Sequence, residues 1–454
     1  MDINKSKRNL LLFTISEVFY LIFAFVDKYH LYLDSQSYIK MHEMREPLYP
    51  TIIAVIRAIF GGDGSDEYLL FVVILQAIII GYVVYNVTKY FSDEFKLNNV
   101  GTVIVFMIFI SVSLMNRFLA KRGAMYSNSI MSEGIAYPLF ILFFRYCYEY
   151  INTYKVKPLF IATIISFLLV SARKQMYVSL VLIIVSIIYV AIRNKKIKHG
   201  IICFLLSCLL VVGGSKLFDY VYINTVFGVN ATHTSDSRFV TTMIFYTASR
   251  EDVTYIEDET VKDLFIDIYD TCDEKGYLKS NMQDESWYER ISHFAKVYDN
   301  IQLRTMWAKM QEVASEKVGN SGIEMELLVD EYNSELISSL LPKLLPSILL
   351  TFIDSFIYGL LVTISAEKQI LMPIAAIIYV LYIGLLVYTL KKQGLNKYSL
   401  LGIFALVSIL VNIGLVSLVI FCQTRYTIYN MAIFYVSGFL MLYNISVKNE
   451  KIQK

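Results

Sequence analysis

Eleven apolar stretches, each long enough or nearly long enough to cross a membrane, recur along this 454-residue chain. A transmembrane α-helix needs about 20 apolar residues to cross a hydrocarbon core of about 30 Å. The apolar stretches are 10–26, 68–87, 100–115, 130–147, 158–171, 177–192, 201–222, 344–365, 370–390, 400–421 and 427–445. Hydrophobic residues make up 56% of the chain, above the roughly 45–50% of soluble domains. We therefore predict an all-α polytopic membrane protein with about ten or eleven transmembrane helices.

Positive charge in the short connections predicts which side of the membrane each connection faces, because Lys- and Arg-rich loops stay in the cytoplasm. The N-terminus and the turn at 193–198 carry such clusters, formed by Lys5, Lys7, Arg8, Arg193, Lys195, Lys196 and Lys198. Placing both clusters inside puts four segments outside, namely 27–67, 116–129, 173–175 and 223–342.

The stretch 344–365 conflicts with this charge rule. If it spans the membrane, the basic turn 391–397 and the basic C-terminal tail lie outside. Asp354 and Ser355 also interrupt its apolar face. We therefore predict that it is a re-entrant or interfacial helix, that ten stretches span fully, and that both termini are cytoplasmic.

The loop 223–342 carries most of the acidic charge, with 22 Asp and Glu against 10 Lys and Arg. Apolar residues recur at helical spacing in 261–269, 287–310 and 323–341, which predicts a small helical domain with Trp287 and Trp307 in its core. The chain thus divides into an N-terminal transmembrane module 1–222, an acidic extracytoplasmic helical domain 223–342 and a C-terminal transmembrane module 343–454.

The first outer loop, 27–67, concentrates ionisable groups beside the membrane in the segment 34–50, DSQSYIKMHEMREPLYP. Such groups are costly at a membrane edge and often functional. Apolar residues at helical spacing predict a short surface helix over 34–44, beginning with Asp34. A second apolar helix, 51–60, is too short to span. An aspartate at a helix start can also be a simple N-cap, and that alternative stays open.

Three sets of residues in these segments form a pattern. They are Asp34-Ser35-x-x-Tyr38 with Arg45-x-Pro47-Leu48-Tyr49-Pro50, Ser132-Glu133 with Pro138-Leu139, and Arg425-Tyr426. With these residues the chain resembles the C-type (GT-C) superfamily of integral membrane glycosyltransferases, which use polyprenyl-phosphate sugars. The matches are spread over most of the membrane modules, and the acidic loop has no counterpart among them.

The resemblance implies a role for each of these residues. Asp34 would deprotonate the acceptor, because a sugar hydroxyl is a poor nucleophile without a general base, and Glu133 would be a second catalytic carboxylate. Basic side chains would hold the lipid phosphate, since arginine binds phosphate in bidentate fashion. The predicted substrate-binding residues are Tyr38, Arg45, Tyr49, Arg117, Arg122, Arg173, Lys174, Arg425 and Tyr426. The alternative for the cations is that they only reach lipid headgroups.

The expected partners are a polyprenyl-phosphate sugar, membrane lipid, and a cell-envelope glycan, lipid or protein acceptor. We expect no nucleic-acid partner and no soluble nucleotide-sugar site, since no phosphate-cradling glycine loop occurs in the sequence. No cofactor is assigned, and a divalent cation near His42 and Glu43 is the alternative. The composition suits a bacterial plasma membrane, with the active site extracytoplasmic.

Two other functions stay open. A polysaccharide polymerase or ligase also handles polyprenyl-linked glycans with outer arginines, yet would not need the segment 34–50. A lipid-linked glycan transporter or flippase predicts broken helices in repeated halves, and the sequence contains no matching halves.

Overall fold

The computed structural model describes residues 3–61, 64–118, 123–231, 234, 236–282, 284–319 and 322–452, with side chains within 5–446. These residues are 85% helical, and no β-strand occurs among them apart from one isolated bridge. The first ten helices are α1 (Ile3–Asp27), α2 (Ser35–Ile39), α3 (Leu48–Phe60), α4 (Tyr68–Phe95), α5 (Asn99–Phe118), α6 (Glu133–Thr153), α7 (Val156–Ala172), α8 (Tyr177–Arg193), α9 (Ile197–Cys208) and α10 (Gly214–Phe227).

Nine more helices follow, beginning in the acidic loop. They are α11 (Ser237–Thr247), α12 (Glu259–Glu274), α13 (Trp287–Asp299), α14 (Trp307–Val318), α15 (Gly322–Ser365), α16 (Met372–Gln393), α17 (Lys397–Val419), α18 (Thr424–Thr427) and α19 (Met431–Ile452). Two π-helical segments, Leu209–Gly213 and Asn300–Met306, join α9 to α10 and α13 to α14.

The predicted fold class is confirmed. Within the described ranges, nine helical segments are long and apolar enough to cross a membrane. They contain α1, α4, α5, α8, α9 with α10, α15, α16, α17, and α18 with α19. The other two apolar stretches are helical as well, since α6 has 21 residues and α7 has 17. The protein is thus an all-α polytopic membrane protein.

The chain divides into two compact units, and the first consists of Met1–Asn230, Pro373–Val411 and Thr427–Lys454. Within it, α4 packs against α1, α3, α5 and α6. Buried residues cover most of the circumference of α4, and the exposed residues Phe71, Ile78 and Tyr82 lie on its remaining face.

Two segments of the first unit that are predicted to lie outside are joined by their backbones. The N–H of His30 donates to the carbonyl of Asn128 at 2.8 Å, and the N–H of Ile130 donates to the carbonyl of His30 at 3.0 Å. The Asn128 side chain also donates to the carbonyls of Phe23 and Lys28. These bonds hold the residues before α2 beside the residues before α6.

The second unit consists of Ala231–Met372 and Asn412–Tyr426. Its helices α11 to α15 enclose an apolar core, in which Phe245 stacks on Phe265 with ring centroids 5.5 Å apart. The three stretches predicted to be helical in this part of the chain are helical. Trp307 packs against the core as predicted, but Trp287 is 53% exposed, so its predicted burial is wrong. Trp287 is the first residue of α13.

Helix α15 contains the stretch whose topology is in question. It runs unbroken for 44 residues, through Pro342 and Pro346, and is therefore about 66 Å long. Its apolar part is long enough to cross a membrane. No turn separates 344–365 from the preceding helical residues, and its placement outside the membrane core stays a prediction.

Candidate functional site

Asp34 lies at the N-terminus of α2, but its side chain makes no capping hydrogen bond, so the N-cap alternative is wrong. Its Oδ1 instead accepts from Nη2 of Arg45 at 2.9 Å. The helix predicted over 34–44 is shorter than expected, because α2 ends at Ile39 and Met41 has a φ of 55°. This left-handed residue turns the chain, and Arg45 then lies beside the start of α2.

The Arg45 guanidinium is held by three neighbours. Its Nε donates to Oγ of Ser37 at 2.7 Å, its Nη2 contacts Asp34, and its Cζ lies 4.6 Å from the centroid of the Tyr38 ring. The side chains of Arg45 and Asp34 are 21% and 34% exposed. Because a guanidinium fixed in this way cannot rotate freely, it orients an aspartate that still reaches solvent.

A second ion pair connects the start of α6 with the end of α7. Oε1 of Glu133 lies 2.7 Å from Nη1 of Arg173, and the two side chains are 0% and 12% exposed. Burying a carboxylate is costly unless a cation and hydrogen bonds compensate it. The N–H of Lys174 donates to Oε1 of Glu46 at 3.0 Å, which ties the α7–α8 connection to the first outer loop.

Tyr38 connects the two ion pairs. Its hydroxyl lies 3.1 Å from Oγ of Ser132, the residue that precedes Glu133. Burial raises the pKa of the Tyr38 hydroxyl above its ordinary value of 10.0, Arg45 lowers it, and Glu133 raises it. Three segments that are predicted to lie outside thus bring together five residues, Asp34, Tyr38, Arg45, Glu133 and Arg173.

A buried polar network lies beneath this cluster. Tyr49 packs edge-on against Tyr38, and its hydroxyl donates to Oε1 of Gln76 at 2.9 Å. The Gln76 amide donates to the carbonyls of Ser127 and Ser129 at 3.0 and 3.1 Å. Gln76 was missed by sequence reasoning, although a lone amide inside the apolar stretch 68–87 is a signal of a buried polar contact.

The structure also describes three other predicted residues, Arg117, Arg425 and Tyr426. Arg117 pairs with Asp27 and lies over the ring of Phe23. Arg425 and Tyr426 belong to the second unit, where both are half-buried and the Arg425 Cζ lies 5.5 Å from the Tyr426 ring centroid. Arg122 lies outside the described residues.

A divalent cation was the alternative expected near His42 and Glu43, and these two side chains lie beside the cluster. Nδ1 of His42 lies 3.2 Å from Oε2 of Glu43. No group of three or more His, Cys, Asp or Glu side chains suited to a metal ion occurs within the described ranges.

The fold and the site define an all-α polytopic membrane protein with a partly exposed carboxylate, a buried ion pair and a tyrosine between them, on the predicted outer side. Chemically, Asp34 is placed to accept a proton, and the arginines are placed to attract an anion. The chain matches no protein-family model, no curated protein and no solved structure.

Proposed function

We propose that the protein is a membrane glycosyltransferase of the GT-C type, which moves a sugar from a polyprenyl-phosphate donor to an extracytoplasmic acceptor in a bacterial plasma membrane. The observation that carries the proposal is the juxtaposition of the Asp34–Arg45 and Glu133–Arg173 pairs through Tyr38 and Ser132. Five of these residues, Asp34, Tyr38, Arg45, Ser132 and Glu133, belong to the motifs that resemble this superfamily, and Arg173 is proposed to supply a phosphate-binding cation.

The two carboxylates differ in their exposure to solvent, and this difference suggests different roles for them. The Asp34 side chain is 34% exposed, whereas that of Glu133 is 0% exposed and paired with Arg173. A general base must come within hydrogen-bond distance of the proton that it removes. Asp34 therefore serves as the base, and Glu133 positions Arg173.

The proposed reaction has one displacement step. The acceptor hydroxyl attacks the anomeric carbon of the donor, and its proton passes to the Asp34 carboxylate. The bond between the anomeric carbon and the phosphate oxygen breaks, and the polyprenyl phosphate leaves with the bonding electrons. Arg173 and Lys174 are the cations proposed to bind this phosphate, since guanidinium and ammonium groups stabilise phosphate charge.

The test is a transfer assay on the purified protein with radiolabelled polyprenyl-phosphate sugars. Asp34→Asn removes the base while keeping side-chain size, so transfer should fall by about two to four orders of magnitude, while donor binding stays unchanged. Asp66→Asn is the matched control, because Asp66 is an exposed aspartate in the same outer loop.

Transfer at the wild-type rate in Asp34→Asn would remove Asp34 from the mechanism. Absence of both transfer and donor hydrolysis with every polyprenyl-phosphate sugar tested would count against the whole proposal. Movement of intact donor across a vesicle membrane would instead support the flippase.

A further inference from the structure

Two adjoining cavities lie beside the C-terminal part of α4, away from the first outer loop, the larger between α1 and α4 and the smaller between α4 and α6. Their volumes are about 600 and 350 Å³, and Lys89 and Asp93 line both. Both volumes are in the range of roughly 300–1,000 Å³ that is usual for small-molecule sites. The candidate glycosyl-transfer residues do not line either cavity.

Several buried polar atoms in these walls lack a protein partner. Oδ1 of Asn9, Oδ1 of Asn86, Oη of Tyr90 and Nε of Arg145 have no hydrogen-bond partner among the described residues. All four residues line one of the two cavities. Because buried polar atoms are nearly always hydrogen-bonded, acceptors and donors concentrated around one space indicate a ligand that carries both kinds of group.

The charges in the walls indicate an anionic ligand. Lys5, Lys89 and Arg145 face Asp93 and Glu94, which leaves one net positive charge. Lys5 is paired with Asp93 at 2.7 Å. Lys89 forms no ion pair with any described residue, and its Nζ lies 5.9 Å from the ring centroid of Tyr85. Lys89 is thus the cation that remains available to a ligand.

The position along α4 places the cavities at the level of lipid headgroups. α4 has 28 residues and is about 42 Å long, which exceeds the hydrocarbon core of about 30 Å. Its apolar stretch ends at residue 87, so Lys89 and Asp93 lie beyond the hydrocarbon core. Leu10 and Phe13, which are 66% and 37% exposed, line the larger cavity and supply an apolar wall beside the charges.

We propose that this double cavity binds an anionic phospholipid with a hydroxyl-bearing headgroup, such as phosphatidylglycerol, on the predicted cytoplasmic side. The single negative charge of a phosphodiester matches the net positive charge of the walls. Headgroup hydroxyls donate to the amide oxygens of Asn9 and Asn86, and an acyl chain lies along Leu10 and Phe13. This site is independent of the proposed glycosyl transfer.

The test measures lipid binding to delipidated full-length protein by native mass spectrometry, with phosphatidylglycerol and phosphatidylcholine in competition. Phosphatidylglycerol should bind more tightly, and Lys89→Gln should weaken its binding by about tenfold, through loss of one charge-assisted hydrogen bond. Lys157→Gln is the matched control, since Lys157 is exposed, lies on the same predicted side and lines neither cavity.

Asn9→Asp gives a second, independent variant, because it adds a negative charge at the cavity and should weaken phosphatidylglycerol binding without affecting phosphatidylcholine. Equal phosphatidylglycerol binding by Lys89→Gln and Lys157→Gln would overturn the proposal, and so would equal binding of the two lipids by the wild type. Binding of soluble glycerophosphoglycerol as tightly as the intact lipid would overturn the assignment to a lipid.

Discussion

Replacing Arg173 tests whether the buried ion pair beside the candidate base is a structural unit. Its partner Glu133 has an exposure of 0%, and the Oε1–Nη1 distance is 2.7 Å. Arg173→Gln takes this cation away from a carboxylate that no solvent reaches. Since removing one partner of a buried ion pair costs about 3–5 kcal/mol, we expect the free energy of unfolding to fall by that amount.

Glu133→Gln and the double variant measure how much of this loss comes from the interaction between the two side chains. Glu133→Gln keeps the side-chain size, and Arg173 is 12% exposed, so its guanidinium can regain water and the loss should be about 1–3 kcal/mol. The double variant removes both charges of this ion pair. Its loss should therefore be smaller than the sum of the single losses by about 2 kcal/mol.

Unfolding by denaturant in detergent micelles, followed by circular dichroism of the helices, measures these four free energies. A matched control is the pair Arg250 and Asp270, whose side chains are 58% and 49% exposed. The same cycle there should give a coupling of about 0–1 kcal/mol. Additive losses at Glu133 and Arg173 would refute the argument, because they would mean that the buried carboxylate does not depend on this guanidinium.

Two further predictions concern other parts of the chain. Gly134→Ala places a Cβ 2.1 Å from Oε1 of the fully buried Gln76, so the free energy of unfolding should fall by about 1–3 kcal/mol. The control Gly384→Ala, whose Cβ meets nothing within 4 Å, should be nearly neutral in the same thermal denaturation. Equal losses in the two variants would contradict the close packing at Gly134. Burial lowers the pKa of His293 from 6.5, so below about pH 6.5 the unfolded chain binds more protons than the folded one, and stability should fall on acidification. Thermal unfolding between pH 5 and 7 should show a weaker pH dependence in His293→Gln, and an unchanged dependence would assign the effect to other groups.

The helices could be predicted because the spacing of apolar residues determines which face of a helix is buried. α3 was predicted over 51–60, but it begins earlier, at Leu48 just after Pro47, with Pro50 in its first turn, because proline is tolerated in a first helical turn. The turn that follows α2 could not be predicted in this way. It depends on the left-handed backbone of Met41, and methionine rarely adopts that conformation.

The candidate site residues could be chosen from their residue types, but the residues that they contact could not be predicted. Glu133 and Arg173 are 40 positions apart, and only the packing of α6 against α7 brings them together. Gln76 was overlooked for the same reason, since its three partners come from α3 and from the segment before α6. Sequence spacing describes neighbours on one helix, whereas these contacts form between helices.

The same kind of contact bears on the topology of α15. Lys397 lies 3.6 Å from Glu94, next to the Lys5–Asp93 pair, so the basic turn between α16 and α17 lies on the side of the N-terminus, as the charge rule requires. If α16 crosses the membrane, as its length and composition allow, it begins on the predicted outer side. On the same basis, α9 and α10 are predicted to lead from the basic turn at 193–198 to that outer side. A single crossing by α15 would reverse α16 and put Lys397 on the wrong side. These contacts thus favour an α15 that ends at the outer interface, although its length and composition would allow it to cross.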